Sequence, residues 1–174
     1  MTAALVMAAL AAATPPPKIP PLSPLRFGWV GKWTGTLVIT PADGEPKSIA
    51  MELELAPLSG DKYTWRLVYD DAGKRQVREY ELVPKPDKPG RFEIDEKNGI
   101  RLGVTLTGNT LFSLFQVGES LIQSRYELAG DVLKVEMTAY STKDPLSTKA
   151  GGGVEVKSPR LMSVQRAELK RAAP

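Results

Sequence analysis

From Gly31 onward, apolar residues recur with a period of two, and turn signals interrupt the pattern at hairpin-length intervals. Successive side chains of an extended strand point to opposite faces, so this pattern encodes strands with one dry and one wet side. Residues 48–55 show it most clearly: Ile49, Met51, Leu53 and Leu55 fall on one face, with Ala50, Glu52 and Glu54 on the other. Before them, residues 32–39 form a first strand that ends at Asp43-Gly44, where glycine supplies the positive φ of a tight reversal. In a third strand Tyr63, Trp65, Leu67 and Tyr69 lie opposite Thr64, Arg66 and Val68, and Ala72-Gly73 turns the chain again.

The fourth strand, residues 75–83, is mixed on both faces: Gln76, Arg78, Tyr80 and Leu82 alternate with Val77, Glu79, Glu81 and Val83. A proline-bearing loop over residues 84–89 leads to a short strand at 91–94, closed by Lys97-Asn98-Gly99. Ile100, Leu102, Val104 and Leu106 mark the sixth strand; residues 110–117, 121–128 and 132–140 follow, separated by Gly108-Asn109, Gly118-Glu119 and Gly130-Asp131. Residues 141–159, with Gly151-Gly152-Gly153, are expected to be a long flexible loop, 161–169 the tenth strand, and 170–174 a frayed end. Turns this short force antiparallel neighbours, because a parallel partner needs a crossover of about a dozen residues. Strands in simple sequence order leave two open edges unless the sheet closes. The fold expected is therefore all-β, a single up-and-down antiparallel β-barrel of about 8–10 strands.

The N-terminus differs in kind. Residues 2–13 are small and apolar, too short a run to span a bilayer, and Ala11 to Ala13 offer a small-residue cleavage site. Residues 1–13 are expected to be a signal peptide or its remnant, 14–28 a proline-rich linker, and 29–171 the barrel domain. The expected location is outside the cytoplasm: periplasm, envelope or secreted.

Composition narrows the chemistry. There is no cysteine and no histidine, which removes disulfides, thiolate metal sites, Ser-His-Asp triads and any side chain that ordinarily titrates near neutrality. Twenty-three basic and 20 acidic residues are interleaved for a net charge of +3, the pattern of a solvated surface rather than a nucleic-acid footprint. Carboxylate pairs such as Asp70-Asp71 and Glu93/Asp95 lie in turns or on a short strand with no nucleophile and base beside them, so the chain is not expected to be an enzyme.

Gly31-Lys32-Trp33 at the head of the first strand, followed by Thr34-Gly35, resembles the glycine-x-tryptophan signature of lipocalins and related calycins. The C-terminal half, from Tyr126-Glu127-Leu128-Ala129-Gly130-Asp131 to Glu168-Leu169-Lys170-Arg171, resembles a bacterial family of exported lipocalin-like proteins without a settled function. The resemblance covers residues 31–171. It implies a barrel closed at one end by Trp33, with a basic residue of the last strand packed across that ring. Arg166 is the residue assigned to that contact, with Lys170 the alternative.

If Trp33 points inward, alternation sends Met51, Leu53, Trp65, Leu67, Tyr69, Leu102, Val104, Ile122, Tyr126, Val135 and Met137 inward too. Those residues either fill the barrel outright or leave room for one small ligand. The candidate ligand-binding residues are Arg78 with Tyr80, Ser124 with Tyr126, and Tyr69 and Trp65. An inward Arg78 would offer a planar fork to a carboxylate; an outward one would pair with Glu52 or Glu54, and that is the preferred assignment. The function expected is an exported lipocalin-like domain that binds a small hydrophobic or amphipathic ligand in the barrel. The alternative is an interaction module of the cell envelope that uses the rim or outer face. The expected partners are a small apolar ligand, no nucleic acid, no metal or other cofactor and no identified protein; no transmembrane segment and a monomer are expected.

Overall fold

A computed structural model of the chain describes Leu25 and residues 28–173. The signal-peptide assignment and most of the proline-rich linker lie outside the described residues. Ten strands follow in chain order: β1 Gly31–Pro41, β2 Lys47–Leu55, β3 Tyr63–Asp71, β4 Lys74–Pro84, β5 Arg91–Asp95, β6 Arg101–Thr107, β7 Thr110–Val117, β8 Ser120–Ala129, β9 Val132–Lys149 and β10 Glu155–Arg171. Each pairs antiparallel with the next, and β10 returns to β1, so the sheet is a closed up-and-down barrel.

One end of the barrel is sealed. Trp33 lies across from Leu53 on β2 and Arg171 on β10, and its indole N–H donates to the Trp29 carbonyl at 3.0 Å. Leu25, Trp29, Leu55, Leu82, Leu133 and Leu169 close around it, all buried. Each such side chain contributes roughly 1.5–3 kcal/mol through burial. The tight wall depends on Gly35, where a Cβ would sit 2.5 Å from the Glu168 carbonyl oxygen.

The basic residue over the tryptophan is Arg171, a correction to the assignment of Arg166 or Lys170. Its guanidinium carbon stands 4.2 Å from the Trp33 ring centroid, and Arg171 also donates to the carbonyls of Val30 (2.7 Å) and Gly28. Register explains the choice: Arg171 is the residue paired with Trp33, whereas Lys170 pairs with Thr34 and Arg166 with Val38 on the outer face. There Arg166 binds Glu136 at 2.7 Å. Gly31 makes room for the contact, since φ is +140° there and a Cβ would meet Arg171 Nη1 at 2.5 Å.

The other end is open, and two features shape it. The first is the short β5–β6 hairpin. Only Phe92 and Ile94 on β5 are buried, and the polar run from Asp95 to Asn98 then ends the strand, with Ile100 left exposed in the turn. Pairing with β4 is therefore confined to Glu81–Pro84, and pairing of β6 with β7 to Val104–Thr107 against Thr110–Ser113. Above this hairpin, residues 74–80 of β4 and 114–117 of β7 have no strand on that side. The barrel wall has a notch about two strands wide.

The second, a departure from the expected pattern, is the long connection. Residues 141–159 are not a flexible loop: β9 continues to Lys149 and β10 begins at Glu155, with only Ala150, Gly151–Gly153 and Val154 between them. Leu146, Thr148, Val154, Val156 and Ser158 alternate with polar residues, which is the pattern of strand rather than loop. Pairing of β9 with β8 stops at Ser141 and of β10 with β1 at Ser163, so this ribbon stands clear of the barrel beyond the open rim. Its base is pinned where the Thr142 N–H donates to the Glu119 carbonyl and the Ala42 N–H to that of Met162, both at 2.7 Å. The C-terminal end does not fray at residue 170 either, for Lys170 and Arg171 are in the sheet and the Ala172 N–H donates to the Lys32 carbonyl at 2.8 Å.

Candidate functional site

Two connected hollows occupy the open half of the barrel. An inner chamber of about 80 Å³ lies against Trp65, Tyr80, Ile94, Ser113, Ser124 and Tyr126. A mouth cavity of about 380 Å³ above it is walled largely by Leu37, Ile39, Ile49, Ile122 and Ala139. Tyr69, Arg78, Phe115 and Met137 line both, so they form the waist between chamber and mouth. A third hollow, about 720 Å³, is an open trough on the outer wall beside Lys88, Arg91, Phe112 and Leu114. Its floor is the outer face of β6, where Gly103 brings no side chain.

The register fixes what the mixed fourth strand left open. Tyr80 is opposite Trp65, Arg78 opposite Leu67 and Gln76 opposite Tyr69, so all three share the inward face of β3. The preferred outward placement of Arg78 is thus corrected. The carboxylates it was to meet have other partners, Glu52 with Lys32 at 2.9 Å and Glu54 with Arg66 at 3.5 Å. Arg78 instead lies over the Tyr69 ring, 5.3 Å from its centroid. It is nevertheless exposed, because the notch removes the neighbour that would have covered it. No carboxylate among the described residues reaches it within ion-pair distance.

The other candidates also converge. Trp65 and Tyr126 are buried and meet edge to face, with centroids 4.9 Å apart and planes at 82°. Ser124 is buried opposite Ser113, whose hydroxyl is taken up by the Gly103 carbonyl at 2.8 Å. Burial pushes the Tyr126 phenol far above the ordinary tyrosine range, with the neighbouring Tyr69 adding to the rise. Tyr69 is raised too, chiefly by burial, against the opposing pull of the Arg78 charge. Both phenols are therefore neutral donors and acceptors at any physiological pH. At the rim Lys47 and Asp71 form an ion pair, with Lys74 beside them in the mouth lining.

The site thus brings together Trp65, Tyr69, Arg78, Tyr80, Ser124 and Tyr126, while Gly31 and Trp33 belong to the sealed end. Sequence reasoning missed Phe115, Gln76 and Lys74. For the last two the signal was present: the two-residue turn Ala72-Gly73 pairs Asp71 with Lys74, and alternation then places the even residues of β4 inside. Chemically the pocket offers a mouth with an apolar wall and a charged rim, above a waist that holds Arg78 and neutral hydroxyls.

No protein-family model matches the sequence, and no curated protein matches it. Among solved structures the chain is similar to a protein of unknown function from the DUF3598 family of Nostoc punctiforme, with a TM-score of 0.58 and 13% identity over 82% of this chain and 47% of that one. It spans about half the length of that protein. It is also similar to the S-type phycobiliprotein lyase CPES from Guillardia theta, at a TM-score of 0.58 and 9% identity over 83% and 89% of the two chains. Rv2717c from M. tuberculosis gives a TM-score of 0.54 and 13% identity over 83% and 92%. At such identities the likeness is one of fold. With the ten-strand closed meander, it makes this chain a lipocalin-like barrel.

Proposed function

We propose that the barrel binds a small amphipathic ligand carrying an anionic group, with that group at the waist and its apolar part in the mouth. The observation that carries this reading is Arg78: an inward-facing guanidinium with no carboxylate partner among the described residues, set between neutral phenols at the junction of the two hollows. Arginine presents a planar fork of donors that fits a carboxylate or similar oxyanion, and the apolar mouth suits a short hydrocarbon or ring. One neighbour in fold is called a phycobiliprotein lyase. The pocket here favours binding over catalysis, because Tyr69 and Tyr126 are held neutral and the charged lining groups, Arg78 and Glu96 inside and Lys47, Asp71 and Lys74 at the rim, do not set a nucleophile beside a base. Export, expected from residues 2–13, belongs to the same reading and is checked by cell fractionation.

Trp65 on the chamber wall is a native reporter. Titration with dodecanoate should give a saturable one-site change in its fluorescence. Arg78→Ala should weaken that binding by about tenfold or more, while dodecanol, which has the same tail and no charge, should bind wild type and variant alike. Absence of saturable binding for dodecanoate and for aromatic carboxylates would defeat the proposal.

A further inference from the structure

The notch and the ribbon are the two unpartnered features of this barrel. Hairpin geometry gives the notch its free edges. In a two-residue turn the flanking residues form a hydrogen-bonded pair, so Asp71 and Lys74 bond to each other, and the even residues of β4 point their backbone groups at β3. Arg75, Val77 and Glu79 therefore aim theirs into the notch. The same rule applied to the Gly118-Glu119 turn leaves Leu114 and Gln116 of β7 facing it from the other side. Exposed strand edges of this kind are templates for added strands.

The ribbon is built like the missing piece of wall. Its register pairs Thr148 with Val156 and Leu146 with Ser158, so these four share one face with Val154 near the tip, and Ser147, Lys149, Glu155 and Lys157 share the other. The first face carries the apolar Leu146, Val154 and Val156 between two hydroxyl residues, with Leu146 70% and Val154 57% exposed, and the other face is polar. That is the two-sidedness of a barrel strand, in a segment with no barrel of its own to face. The register shifts between Arg160 and Ser158, so the ribbon is a two-stranded unit offset from the barrel-bound parts of β9 and β10.

We propose that two copies of this chain associate mouth to mouth about a two-fold axis perpendicular to the barrel axes, each ribbon completing the notch of the other. Strand order and polarity fit this geometry. β4 runs from the open rim toward the sealed end, and β7 runs back to the rim; an inverted partner brings its β10 beside β4 and its β9 beside β7, antiparallel at both seams. In this arrangement the ribbon face that bears Leu146, Val154 and Val156 turns into the partner's barrel. The unpaired stretch of β4, Lys74–Tyr80, is about 23 Å long at the strand rise, a length the ribbon can match. The interface is isologous and closed, so it yields a dimer and no fibre. It also places Leu146 and Val156 of each copy against the other's pocket. The proposal does not depend on a ligand.

Light scattering on the full chain at micromolar concentration should give twice the chain mass. Replacing residues 147–157 by an Asn-Gly turn should give a monomer whose thermal midpoint and tryptophan spectrum match those of the parent. Val156→Asp, which keeps the ribbon, should weaken the dimer by at least about tenfold by placing a charge in the apolar contact. Hydrogen exchange gives an independent readout. The amides of Val77, Glu79 and Gln116 should exchange at least about tenfold more slowly in the parent than in the ribbon-less variant, since they are bonded only in the dimer. A monomeric parent, a dimer that survives loss of the ribbon, or equal exchange at these three amides would each overturn the proposal.

Discussion

The two ends of the barrel are made from the same ten strands and solve opposite problems. At the sealed end Leu25, Trp29, Leu55, Leu82, Leu133 and Leu169 are buried with Trp33, and the polar groups there are matched: indole N–H to Trp29 carbonyl, Arg171 to the carbonyls of Gly28 and Val30. At the open end the wall is incomplete, an arginine faces inward, and apolar residues line space instead of one another. Stability is concentrated where packing is complete, and binding capacity where it is not, because an unfilled interior forfeits contact energy that a ligand can recover.

That contrast can be broken by truncation at each end. Trp33→Ala should lower the unfolding free energy by about 3–5 kcal/mol in urea denaturation, since it removes the central side chain of a close-packed layer. Ile122→Ala, in the mouth wall, should cost about 1 kcal/mol because that methyl surface already borders a cavity. Comparable losses at the two sites would dissolve the distinction. A smaller effect separates the two arginines of β10. Arg171→Ala should cost about 1–2 kcal/mol by leaving two carbonyls without their donor and the indole face uncovered, and lysine should not restore it, since one ammonium cannot stack and bridge together. Arg166→Ala should be near neutral, its pairing with Glu136 being an exposed one.

The smallest effect is in pH. The folded-state pKa values of Tyr69 and Tyr126 lie above their unfolded values, so the neutral phenols favour the folded state up to about pH 10. Above that pH the unfolded chain alone ionises them, and stability should fall. Between about pH 6 and 9, in a chain without histidine, both stability and dodecanoate affinity should be flat. A bell-shaped binding curve in that window would place an unrecognised titrating group in the pocket.

Local alternation made much of this molecule legible in its sequence. β1–β3, β8 and β9 declared their inward faces, and Trp65, Tyr69 and Tyr126 were placed inside from spacing alone, whereas β7, mixed on both faces like β4, did not disclose Phe115. What stayed hidden depended on pairing between distant strands. Arg78 and Arg171 are each one of several basic residues on mixed strands, and only the register with β3 and β1 tells which of them faces in. The notch arises from how far the β5–β6 hairpin climbs its neighbours, a relation that no single strand records. The ribbon was concealed by composition: serine, threonine, lysine and proline read as loop, though Leu146, Val154 and Val156 keep the strand period.

The most direct test of this division of labour is residue-resolved. Backbone ¹H–¹⁵N shifts recorded as dodecanoate is added should move at Arg78, Phe115, Ile122 and Met137 and stay still at Trp33, Leu169 and Arg171. Shifts centred on the sealed end, or on the outer trough at Phe112 and Leu114, would contradict the assignment of binding to the open half of the barrel.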